Sequence, residues 1–269
     1  MVPGKERGTL ISSPPALQLY TVREQLATGR MGVLRRIADL GYGAVEPYDV
    51  RTDPQQLRAD LDEAGLAACS VHAKILDEDG DVLLRGTRTV GAGTVIVPWM
   101  PPERFADAES IAALAGELNE GAAKAADQGL RLGYHNHDFE LSSIVGGRPA
   151  LEVLADALDP AVILEVDTYW AAVGGQDVPA LLGRLGDRVR YLHVKDGPVT
   201  RHDPQTAVGG GLMPVPEILG SCPSAEWHVV ELDSCATDML TAVGDSLAWL
   251  ATRDLASPVR RSPSTGQGA

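Results

Sequence analysis

The stretch "RLGYHNH" (131–137) alternates cleanly: Leu132 and Tyr134 occupy one set of positions, and Gly133, His135 and His137 the other. Successive side chains of a strand point to opposite faces. A strand here therefore sends its bulky apolar groups to one side and stacks both imidazoles on the other, at its C-terminal end. Three later runs repeat the pattern. "VILEVD" (162–167) puts Glu165 and Asp167 on one parity, "VRYLHVK" (189–195) does so with His193 and Lys195, and "WHVVEL" (227–232) leads to Glu231 and Asp233. Upstream, "ALQLY" (16–20) contributes Gln18 and Tyr20, "GAVEP" (43–47) Glu46, and "AACSVHA" (67–73) Ser70 and His72, with Lys74 next on the same parity. "TVIVPW" (94–99) completes the series.

Between these eight runs lie segments of helical periodicity. In 106–128 a stripe forms from Ile111, Leu114, Leu118, Ala122 and Ala125; in 238–251 it forms from Leu240, Val243, Leu247 and Leu250. Asp107 and Asp238 suit the starts of these helices. Gly41, Gly65 and Gly129 follow three helices, where a left-handed residue is expected. Corresponding strand ends recur every 26 to 38 residues, which implies parallel strands joined by helical crossovers. No G-x-G-x-x-G follows the first strand, so an open dinucleotide-binding sheet is disfavoured. The expected fold is α/β, a single (β/α)8 TIM barrel over residues 15–252. A flexible segment 1–14 is expected before it, and a disordered Ser/Pro/Gly/Arg-rich tail, 253–269, after it.

Composition narrows the function. The 269 residues are 44% hydrophobic, enough for one large core, and carry a formal net charge of −14. Such a surface repels phosphate backbones, so nucleic acid is not the expected partner. No 18-residue apolar run and no secretory h-region appear, so neither a membrane span nor export is expected. The three cysteines, Cys69, Cys222 and Cys235, lack C-x-x-C spacing and read as reduced thiols of a cytoplasmic protein. Oligomeric state stays open, a homo-oligomer included.

In a (β/α)8 barrel, inward side chains at the C-terminal strand ends line the active-site mouth. His135, Asp167, His193 and Glu231 come from strands five to eight and are neighbours around the barrel. Two imidazoles and two carboxylates suit one divalent ion such as Mn²⁺, Co²⁺ or Zn²⁺. Taken singly, each also fits a hydrogen-bonded packing residue, and Glu231 also fits an ion pair with Lys195. Gln18, Tyr20, Arg23, His72, Trp99, Trp170 and Lys195 are candidate substrate contacts. Arg23 also fits a helix start, and both tryptophans fit simple barrel covers. Lys195 and Asp196 in "HVKDG" also fit a local ion pair.

"LQLYTVRE", "IADLGYGAVEPY", "GLRLGYHNHDFEL", "LEVDTYWAAVGG", "RVRYLHVKDG" and "WHVVELD", in this order, resemble the xylose isomerase-like TIM-barrel superfamily, in its sugar phosphate isomerase/epimerase branch. "AVGGG" (207–211) is similar to the glycine loop before its seventh helix. The resemblance implies a divalent ion held by Glu, Asp, His and Glu from strands five to eight. Asp167, His193 and Glu231 match the last three, and His135 stands at the first. It further implies an isomerase or epimerase acting on a keto sugar or related polyol through a metal-bound enediolate, with Glu231 as base. The second proton transfer then falls to His137, His72 or Glu46. A lyase or dehydratase on a keto sugar or inosose is the alternative, because the inositol-catabolism dehydratase branch is also histidine-rich at strand five. An abasic-site endonuclease is a remote one, because Trp170 stands where the D-x-x-H histidine of the endonuclease IV group would follow Asp167. A non-catalytic sugar-binding barrel is a further reading.

Overall fold

The computed structural model describes residues 15–77, 79–253 and 255. The expected loose segment 1–14, and all of 253–269 except residues 253 and 255, lie outside the described residues. The chain begins with β1 (Pro15–Gln18), α1 (Arg23–Leu40), β2 (Ala44–Glu46), α2 (Pro54–Ala64), β3 (Ala67–Ala68) and β4 (Val71–His72). It continues with α3 (Gly80–Val90), β5 (Thr94–Val97), α4 (Ala108–Asp127), β6 (Arg131–His135) and α5 (Phe139–Ser142). A hairpin of β7 (Ile144–Val145) and β8 (Arg148–Pro149) precedes α6 (Ala150–Ala157), β9 (Ile163–Asp167), α7 (Thr168–Val173) and α8 (Val178–Leu185). Last come β10 (Val189–Val194), α9 (Val215–Gly220), β11 (Trp227–Val230) and α10 (Met239–Ala251).

Nine parallel strands form one sheet in the order β3–β2–β1–β11–β10–β9–β6–β5–β4. Its two ends, β3 and β4, are pieces of the single run expected at 67–73. β3 pairs with β2 and β4 with β5, so the chain transfers its pairing across Cys69 and Ser70. A parallel bridge between Tyr48 and His72 and the bond from His72 N to the Pro47 carbonyl (2.9 Å) bring the sheet back on itself. The result is a nearly closed barrel with eight strand positions, the third of them interrupted.

The sequence-level helix signals are visible in the packing. Asp107 and Asp238 cap α4 and α10, accepting from the backbone of Ser110 and Thr241 at 2.8 Å each. Gly41, Gly65 and Gly129 all have positive φ. Ile111, Leu114 and Leu118 are completely buried; truncating any one to Ala removes about 2–5 kcal/mol. The β7–β8 hairpin was not expected from periodicity. Its signal was the Gly146–Gly147 pair, whose left-handed backbone turns two-residue strands. No helix among the described residues is long and apolar enough to cross a membrane. The three cysteines are free thiols.

Candidate metal centre and active-site mouth

Strand parity sorts the barrel interior into layers. Ala16, Ala44, Cys69, Ile96, Ile163, Tyr191 and Val229 form a small apolar cluster at the bottom. Tyr191 donates to the Cys69 carbonyl and lies 3.2 Å from Thr94 Oγ1, giving its buried hydroxyl partners. One step up each strand, the inward positions become Gln18, Glu46, Ser70, His72, His135, Glu165 and His193, all buried. Asp167, Lys195 and Glu231 lie beyond them, also buried. On β1, β2, β9, β10 and β11 the layering follows from alternation: two residues past an inward apolar side chain comes an inward polar one.

The polar layer is dense. Glu165 Oε2 meets His72 Nε2 at 2.6 Å, His135 Nδ1 at 3.1 Å and His193 Nε2 at 3.2 Å. Glu46 accepts from Gln18 Nε2 (2.6 Å) and from the Ser70 hydroxyl, and lies 2.8 Å from His193 Nε2. On the mouth side, His193 Nδ1 lies 2.7 Å from Glu231 Oε2, and His135 Nε2 lies 3.9 Å from Asp167 Oδ2. The Lys195 ammonium sits 2.9 Å from Asp167, 2.8 Å from Glu231 and 2.7 Å from Asp233. Two overlapping donor sets result, each with ligand atoms within 4.8 Å of one another: His72, His135, Glu165 and His193 below, and His135, Asp167, His193 and Glu231 above. Glu165 Oε1 is buried without a hydrogen-bond partner among the described residues, and Asp167 Oδ2, equally buried, has the Lys195 ammonium as its ion-pair partner. Mixed imidazole and carboxylate donors clustered this closely suit a divalent cation.

The electrostatics follow from burial and neighbours. Burial alone would raise the Glu231 carboxyl, but the Lys195 ammonium and His193 hold it well below the usual range. Asp167 is pushed up to about 6 because desolvation outweighs Lys195. Burial and the positive field of Lys195 lower His137 to about 4, so its ring is neutral at neutral pH. Burial also opposes protonation of His193, yet the charges of Glu165 and Glu231 raise it well above an ordinary imidazole.

A cavity of about 580 Å³ opens above this cluster. His72, His135, His137, Lys195, Glu231 and Asp233 face it, and Tyr20, Tyr48, Lys74 and Trp99 form its outer wall. Gln18 and Glu46 are fully buried under the imidazoles and do not line this cavity. Arg23 is also off the cavity wall. It begins α1, stacks 4.3 Å from the Tyr20 ring centroid, and donates to the Tyr20 and Asp233 carbonyls, tying the first loop to the last. Trp170 lies beside the cavity with its ring 5.5 Å from Lys195 Nζ. Asn136 turns toward β9, accepting from Asp167 N at 3.1 Å. Asp196 neither binds the mouth nor pairs with Lys195. It accepts from the backbone of Gly197, Gly209 and Met213, and so anchors the 207–211 glycine loop.

Glu165 is the residue that motif reading passed over. It shares the parity of Asp167 and sits two positions earlier, so alternation alone marks a carboxylate sunk inside the barrel. Asp233 and Tyr48 are the other additions. Both follow strand ends, where loop geometry decides whether a side chain turns into the mouth.

A family model described as a xylose isomerase-like TIM barrel matches residues 34–250. Inosose dehydratase from Geobacillus kaustophilus (strain HTA426) is 30% identical over 197 residues, covering 64% of this chain and 62% of that protein. The matched region thus spans less than two thirds of that relative's length. The fold is similar to a sugar phosphate isomerase/epimerase from Parabacteroides distasonis ATCC 8503, with a TM-score of 0.79, 21% identity, and coverage of 93% of this chain and 97% of that one. It is also similar to the probable 3-DHS dehydratase from Bacillus anthracis, with a TM-score of 0.68, 11% identity, and coverage of 89% and 99%. The family match extends over most of the barrel, and the protein belongs to the xylose isomerase-like TIM-barrel family.

Proposed function

We propose that this protein is a metal-dependent isomerase or epimerase of a keto sugar or related polyol, working by removal of a proton from the carbon next to the carbonyl. The observation that carries this reading is the clustering of ligand atoms from His135, Asp167, His193 and Glu231 within 4.8 Å of one another, with His135 and Glu231 lining a cavity of about 580 Å³. One divalent ion held by those four, Mn²⁺, Co²⁺ or Zn²⁺, would supply Lewis-acid stabilisation of the negative charge that develops during proton removal.

The chain's own residues account for the proton movements. Glu231 is kept ionised by Lys195 and His193 and faces the cavity, so it serves as the base at carbon. His137 faces the same cavity, and its buried Nδ1 has no hydrogen-bond partner among the described residues. A neutral imidazole there moves a proton between adjacent substrate oxygens while Glu231 moves one between adjacent carbons. Epimerisation requires a second group on the opposite face, and this reading gives that role to His72, an imidazole that also lines the cavity. The side chains of Tyr20, Tyr48 and Trp99 offer apolar faces to the C–H surface of a sugar, and Lys195 and Asp233 offer polar contacts to its hydroxyls.

Elimination is the second reading, favoured by the 30% identity to an inosose dehydratase. It uses the same first step, with loss of a β-hydroxyl in place of reprotonation. Incubating the metal-loaded protein with keto sugars and inososes in D₂O tests both. Isomerisation or epimerisation conserves mass apart from deuterium uptake, whereas elimination removes one water. Glu231→Gln should abolish deuterium incorporation at the α-carbon while circular dichroism stays unchanged. Undiminished exchange in that variant would remove Glu231 from the role.

A further inference from the structure

His135 and His193 each face carboxylates through both ring nitrogens, His135 two and His193 three. His135 turns Nδ1 to Glu165 (3.1 Å) and Nε2 toward Asp167; His193 turns Nε2 to Glu46 (2.8 Å) and Glu165 (3.2 Å), and Nδ1 to Glu231 (2.7 Å). A metal-bound imidazole must carry its proton on the nitrogen that does not bind the ion, and a carboxylate accepting that N–H fixes both tautomer and ring orientation. The two carboxylates below are placed to accept, and the two above to share a cation.

We propose that Glu165, seconded by Glu46, is a positioning residue that locks His135 as the Nε2 ligand and His193 as the Nδ1 ligand of one ion in the upper donor set. This rests on the metal-dependent reading above. It assigns the lower donor set, His72, His135, Glu165 and His193, to ligand orientation and not to a second ion. Glu165 suits the task because it is fully buried, comes from the middle of β9, and reaches three imidazoles with a single oxygen. Ser70 and Gln18 in turn fix Glu46, so this second orienting carboxylate is held before an ion arrives.

The test is Co²⁺ titration of the full, chelator-stripped chain by calorimetry and visible absorption, for wild type, Glu165→Gln and Glu165→Asp. Wild type should bind one ion. Glu165→Gln should keep that stoichiometry, lose about 10- to 100-fold in affinity and show a shifted Co²⁺ spectrum, with partial recovery in Glu165→Asp. Affinity within twofold of wild type and an unchanged spectrum would overturn the positioning role. So would two ions per chain in wild type with one lost in Glu165→Gln, because Glu165 would then be a ligand. No Co²⁺ binding by wild type would remove the metal-dependent reading itself. A second measurement avoids variants altogether: ¹H–¹⁵N correlation of the histidine rings in the Zn²⁺-loaded wild type. It should show His135 protonated at Nδ1 and His193 at Nε2, and the reverse tautomers would reject the assignment.

Discussion

The Lys195 ammonium and the Glu231 carboxylate meet at 2.8 Å with both side chains buried, and the same ammonium also contacts Asp167. One lysine thus neutralises both carboxylates that the upper donor set offers to a cation.

Removing that lysine leaves Asp167, Glu231 and Asp233 facing one another with no cation between them. Breaking a buried pair in this way costs about 3–5 kcal/mol. Lys195→Met should lose stability on that scale in urea unfolding. A divalent ion should restore more stability to the variant than it adds to wild type. An equal gain in both would show that lysine and ion act at separate carboxylates.

The Glu140 carboxyl supplies a pH prediction. It is buried, accepts from the Tyr134 hydroxyl (2.8 Å) and His137 N (2.9 Å), and is pushed by desolvation from 4.5 up to about 7. Between those values the folded state holds a proton that the unfolded chain has released. Stability from this group is therefore fully present below about 4.5, falls as pH rises, and levels off above about 7. The amplitude is about 3 kcal/mol. Glu140→Gln removes this dependence, so between pH 5 and 8 its unfolding free energy should decline less steeply than that of wild type. Parallel curves would contradict the assignment.

Trp99 is a wall residue, 38% exposed, with Lys74 Nζ 5.3 Å from its ring centroid. Trp99→Ala should raise KM about tenfold and leave kcat nearly unchanged, as expected for binding shared by ground and transition states. A selective fall in kcat would move Trp99 into the chemistry.

At the opposite end of the barrel, Glu226 accepts from both Arg131 (2.6 Å) and Arg190 (2.6 Å). Glu226→Ala leaves two guanidinium groups without their shared carboxylate. It should cost about 1–2 kcal/mol, limited by solvent screening, without altering turnover. Lost turnover at full folding would couple the barrel floor to the mouth.

Much of this was readable from alternation. His135, Asp167, His193 and Glu231 were assigned to one mouth because parity and strand order are local properties, and the structure brings them within 4.8 Å. The same pattern marks Gln18 and Glu46 as site residues, and Arg23 is marked by its place just after the first strand, yet all three lie off the cavity wall. Parity tells which way a side chain points, but not how deep in the barrel it sits. Depth depends on the stagger between strands: β6 pairs His135 with Glu165, whereas β10 pairs His193 with Asp167. Glu165 was passed over for the same reason, since nothing local reveals that three imidazoles surround it.

The amino-acid order by itself determined the eight strand positions, the helices between them, their caps, and the set of polar residues that face inward, because each follows from short-range periodicity. Tertiary structure alone decided the interruption of the third strand, the lysine shared among three carboxylates and the pairing of each ring nitrogen with its own acid. Those depend on register across a nearly closed sheet, where a shift of one residue along any strand would turn every one of these groups away from the others.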